Sequence, residues 1–113
     1  MTPTKSLWAK LEKAGFDPNQ LSKSWREGER GYKTRAIDKS LRGSVYVDSD
    51  HVCIQDKKLA EIIEKNLLST GIKRDEKSRN YPEWFSDKIV DVVVDEIVKV
   101  VDEMKKKMIG KKF

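Results

Sequence analysis

The chain has one cysteine, one histidine and three prolines in 113 residues. The lone thiol, Cys53, excludes an intrachain disulfide and any zinc site built on cysteines, and it fits a reducing compartment. Histidine-based acid–base chemistry would rest on His51 alone, and its place in the polar stretch DSDH reads as a solvated loop. No apolar run approaches the roughly 20 residues that span a bilayer. The opening MTPTKSLWAK has no long apolar region, so no signal peptide is expected and a cytoplasmic location is. Phosphate-binding loops of the forms GxxxxGK and GxGxxG are absent, and so is GxSxG. No internal repeat or low-complexity tract is present. These absences point away from an enzyme, and neither a cofactor nor a metal is expected.

Charge is what the sequence has in quantity. Charged residues make up 38% and apolar residues 37%, with a net charge of +5. The isoelectric point is about 9.3. A basic balance favours an anionic partner, while the modest apolar share suits a small core with an extended, solvated element.

Periodicity and punctuation divide the chain into a helical domain with a β-hairpin over 1–71, a charged linker over 72–81 and a long amphipathic helix over 82–113. Thr4 can cap a first helix carrying Leu7, Trp8 and Leu11, which Gly15 stops. Asp17 and Pro18 suit the start of a second, carrying Leu21 and Trp25. Residues 28–33 read as a loop. Thr34 can open a third helix, with Ala36, Ile37 and Leu41 inward and Gly43 as its stop. SVYV and HVCI read as two strands, a hairpin over 44–55. A turn over Asp48–His51 puts Val47 opposite Val52 and Val45 opposite Ile54, all on one buried face. Asp56 suits the cap of a fourth helix whose stripe is Leu59, Ile62, Ile63, Asn66 and Leu67, ended by Gly71. The expected fold is therefore mainly α with one small hairpin.

The last helix, from about Glu83 to Ile109, is rich in valine, yet its polar residues recur at helical spacing. Val90, Val94, Ile97, Val101, Met104 and Met108 lie on its apolar stripe. At roughly 1.5 Å per residue it would be about 40 Å long, more than four short elements easily cover. That favours pairing between chains, as a homodimer or with a protein partner; the alternative is a core helix within one chain.

Arg26, Arg30, Lys33, Arg35, Lys39 and Arg42 form a basic cluster. On a helix over 34–43, Arg35, Lys39 and Arg42 share one face, opposite Ile37 and Leu41. Such cations neutralise phosphates, and arginine can fork onto guanine in the major groove. The order helix, short helix, hairpin over residues 5–55 resembles the winged helix-turn-helix layout, which implies DNA contact by the 34–43 helix. Its wing loop, DSDH, is acidic, so the helix is the expected contact. The stretch RGSVYVDSDHV also resembles the hairpin of S4-type RNA-binding domains, which implies RNA contact by the same cations. A metal-dependent nuclease reading rests on Asp48, Asp50 and His51 with the D-x-K form of DKK at 56–58. The simpler account of those residues is a turn and a helix cap. The function expected from the sequence is DNA binding, with a non-enzymatic interaction module such as an inhibitor or assembly subunit as the alternative.

Overall fold

The computed structural model describes residues 4–19 and 29–110. Its elements are α1 (Thr4–Ala14), β1 (Asp17–Asn19), β2 (Arg30–Lys33), β3 (Ser44–Asp48), β4 (His51–Ile54), α2 (Lys57–Ser69), β5 (Glu83–Phe85) and α3 (Asp87–Gly110). The strands form one antiparallel sheet in the order β1-β2-β3-β4-β5. This α+β architecture corrects the expectation of a mainly helical protein with one small hairpin. The physical reason lies in β1, β2 and β5. Their sequences, DPN, RGYK and EWF, are too short and too polar to show a period of two.

The hairpin has the register that the valine pattern predicts. Val45 pairs with Ile54, Tyr46 with Cys53 and Val47 with Val52. Asp48 pairs with His51, so His51 opens a strand and is buried, not solvated. Cross-strand partners share a face. Tyr32, Val45, Val47, Val52, Ile54 and Trp84 therefore form one face, and all are buried in the core.

The three helices among the described residues all contribute to that same core. From α1 come Leu7, Leu11 and Ala14, spaced by four and three. Gly15 ends α1 at φ +111°, where the N–H of Phe16 returns to the carbonyl of Leu11. From α2 come Leu59, Ala60, Ile63 and Leu67. As expected, Asp56 caps α2, its carboxylate accepting from the amide of Leu59 at 2.9 Å. From α3 come Val90, Val93, Val94, Ile97, Val100 and Val101, with Met104 packed at the edge. The side chains expected to pair between chains are thus largely enclosed by their own sheet and helices.

Three further expectations are corrected. Asp17 and Pro18 begin an edge strand, where a proline can sit without breaking a ladder; Leu21 and Trp25 lie outside the described residues. The expected loop at 28–33 contains β2. The expected helix at 34–43 is a single 3₁₀ turn, Thr34–Ala36, followed by irregular chain. There the single proton of the Thr34 hydroxyl is shared between the carbonyl of Gly43 at 2.8 Å and the Asp56 carboxylate at 3.0 Å. The amides of Arg42 and Gly43 also donate to Asp56, at 2.6 and 2.7 Å. Those two amides are thereby taken by a side chain outside the segment.

The long helix begins at Asp87, four residues later than expected, because Glu83–Phe85 joins the sheet. Ser86 marks the break: it has φ 82°, unusual for a residue with a Cβ. Its amide donates to the carbonyl of Asp50, and its hydroxyl accepts from the amide of Ile89 at 3.3 Å. Within 72–81, Arg74 binds Glu64 at 3.1 Å and the carbonyl of Ser78 at 2.8 Å. Among the described residues no helix is long and apolar enough to cross a membrane.

Candidate functional site

The expected cations separate into two groups. Arg30 is structural: its guanidinium binds Glu12 at 3.1 Å and lies 4.2 Å from the centroid of the Trp8 ring. Trp8 in turn donates to the carbonyl of Val47 at 3.1 Å, which anchors α1 to the sheet. Lys33, Arg35, Lys39 and Arg42 instead project from the end of β2, the 3₁₀ turn and the loop after it, and all four are exposed. None forms an ion pair among the described residues. Arg26 and the side chain of Met108 lie outside the described residues.

The fold adds two cations that the sequence reading missed. Lys57 and Lys58 open α2 directly after the Asp56 cap, and Lys58 donates to Ser40 Oγ at 3.2 Å. Ser40, Arg42, Asp56, Lys57, Lys58 and Glu61 line a cleft of about 360 Å³. A ledge of six exposed cations, Lys33, Arg35, Lys39, Arg42, Lys57 and Lys58, therefore occupies the loop and the adjoining helix start. The sequence shows the first four as one basic cluster and Lys57 and Lys58 only as part of DKK, with nothing to join the two. The juxtaposition depends on Asp56 holding the loop.

Asp56 is the hub of this corner. Burial alone would raise its pKa. The amides of Leu59, Gly43 and Arg42 and the Thr34 hydroxyl outweigh that and hold the carboxyl below its ordinary 3.8. Its oxygens are fully engaged, so the aspartate of DKK serves as a cap and a tie. Among the described residues, no three His, Cys, Asp or Glu side chains are grouped to hold a metal ion.

A second charged cluster lies at the other end of β4, on the sheet face turned away from the helices. His51 Nδ1 is 2.8 Å from Glu29 Oε1, and Nε2 is 2.7 Å from Glu83 Oε1. The ring is 1% exposed and stacks on Phe85 with centroids 4.6 Å apart. Burial alone would lower the His51 pKa; the hydrogen bonds and charges of Glu29 and Glu83 more than reverse this and hold it above 6.5. Cys53, two residues along the same face, is fully buried. Burial, with the charges of Glu83 and Glu29, pushes its thiol up to about 12. It is therefore a poor nucleophile at neutral pH. Glu29 and Glu83 are 22 and 32 residues from His51. Only the period of two that sets His51 and Cys53 on one face hinted at this cluster.

In comparisons with known proteins, no family, no curated protein and no solved structure matches the chain.

Proposed function

We propose that the protein binds duplex DNA through its phosphate backbone, using the ledge of Lys33, Arg35, Lys39, Arg42, Lys57 and Lys58. The observation that supports this reading is the exposure of all six cations without an ion pair among the described residues. Each phosphate neutralised releases condensed counterions, and that release drives binding. The segment 34–43 is a loop and not a recognition helix, so the proposal is backbone contact without helix-borne reading of base edges. Placing the loop on the start of α2 adds Lys57 and Lys58 to the footprint.

The test is titration of a labelled duplex at several salt concentrations. Six phosphate contacts predict a slope of log affinity against log salt of about −5. Replacing Lys33, Arg35, Lys39 and Arg42 with alanine should bring the slope to about −2. A parent protein that does not bind duplex at low salt, or a variant with the parental slope, rejects the reading. Tighter binding of RNA of the same length would move it to RNA.

A further inference from the structure

We propose that Glu29, His51 and Glu83 form a proton-operated latch on the sheet edge. With both ring nitrogens protonated it fastens β5 to β4, and with one proton gone it loosens β5. The geometry suits the first state. Ionised carboxylates only accept hydrogen bonds, so two of them at 2.8 and 2.7 Å from the two ring nitrogens need a donor at each nitrogen. The cluster therefore retains a proton that an isolated imidazole gives up near neutrality.

The surroundings favour that charge. Among the described residues, no lysine or arginine pairs with either glutamate. Asp48 is the cross-strand partner of His51, and Asp50 stands in the adjoining turn. On β4 itself the nearest titratable group is Cys53, and on β5 it is Glu83. The Phe85 face adds a cation–π contact on one side of the ring.

The two carboxylates are not equivalent, and this decides which proton leaves. The Glu29 side chain is 0% exposed, and its Oε2 is buried without a hydrogen-bond partner. If Nδ1 lost its proton, water could not take over at Glu29. The Glu83 side chain is 20% exposed and can be hydrated. The proton therefore leaves Nε2, and Glu83 lets go.

Glu83 belongs to a three-residue edge strand. Trp84, 1% exposed, anchors its middle in the core. Its ends are tied to β4 by single backbone bonds, Ile54 N–H to the carbonyl of Pro82 and Ser86 N–H to the carbonyl of Asp50, while on the other side the Glu83 carbonyl accepts from the amide of Asp75 at 2.7 Å. Loss of the Glu83 contact therefore appears as local opening at those two amides.

The single histidine makes the test direct, because the ring signals in a carbon–proton spectrum of the full chain belong to His51. The ring titration is recorded beside hydrogen exchange at the Ile54 and Ser86 amides, corrected for intrinsic exchange rates. The expected ring midpoint lies above 6.5. Edge opening should be flat below 6.5, rise by up to about tenfold per pH unit as far as the ring midpoint, and level off above it. Glu83→Gln should lower the midpoint and shrink the rise. A ring midpoint at or below 6.5, edge exchange without a step, or a Glu83→Gln midpoint equal to the parent's would each overturn the latch. If that variant fails to fold, the two measurements on the parent decide alone.

Discussion

The two ends of β4 are each closed by a buried charge, and the two are built in opposite ways. Past its C-terminal end, Asp56 is an anion wrapped by donors: three backbone amides and the Thr34 hydroxyl. At its N-terminal end, His51 is a cation held between two acceptors, one of which keeps an unpartnered oxygen. The Asp56 end is saturated, and backbone supplies most of its donors. It can only be broken. The His51 end depends on a proton, so it can be switched. Buried charge is costly unless satisfied, and the difference lies in the pH at which the charge itself is lost: in acid for Asp56, above 6.5 for His51.

The largest effect should come from crowding the saturated end. A Cβ on Gly43 would lie 2.3 Å from the Asp56 Cα and 2.4 Å from its amide nitrogen, both backbone atoms that cannot swing aside. Gly43→Ala should therefore cost about 4 kcal/mol or abolish folding, read as the urea midpoint. Replacing Asp56 with alanine should cost about 3 kcal/mol, since it strands several buried donors and removes the α2 cap. An Asp56→Ala midpoint within error of the parent's would show that water substitutes for the carboxylate, and the contrast between the two ends would collapse.

Smaller in size, and more discriminating, is the dependence on pH. The Asp56 carboxyl is held below 3.8, so its contribution is present above 3.8 and is lost as pH falls through the folded value. His51 is held above 6.5, so its contribution is fully present below 6.5 and is lost as pH rises through the folded value. Denaturant midpoints across pH should show both limbs. Asp56→Asn should flatten only the acid limb, and His51→Gln only the alkaline one. One variant flattening both would mean that the ends of β4 are coupled through the sheet.

The smallest stability effect belongs to the ledge. Replacing Lys33, Arg35, Lys39 and Arg42 with alanine should leave the midpoint within about 0.5 kcal/mol, because all four are exposed. Its consequence should appear in the salt dependence of DNA binding alone. A large loss of stability would reassign those side chains to the fold.

How much of this was legible in advance varies by element. The stripes of α1, α2 and α3, the hairpin register and the Asp56 cap all follow from local rules: a period of 3.6, a period of two, and a short polar side chain before a helix. The sequence by itself therefore determined which residues face the core along those elements, where α1 and α2 begin and end, and how β3 meets β4. The tertiary structure decided the rest. The strands β2 and β5 exist because the hairpin offers them backbone partners, and β1 because β2 offers it one, which such short strands cannot supply for themselves. Segment 34–43 is a loop because Asp56, 13 and 14 residues away, takes the amides of Gly43 and Arg42. The valine stripe of α3 lies inside one chain because α1, α2 and the β4–β5 side of the sheet together cover it. His51 meets Glu29 and Glu83 only when four strands lie side by side. Local pattern reports what one segment prefers, while a hydrogen bond between residues 22 or 32 positions apart exists only once the sheet has brought them together.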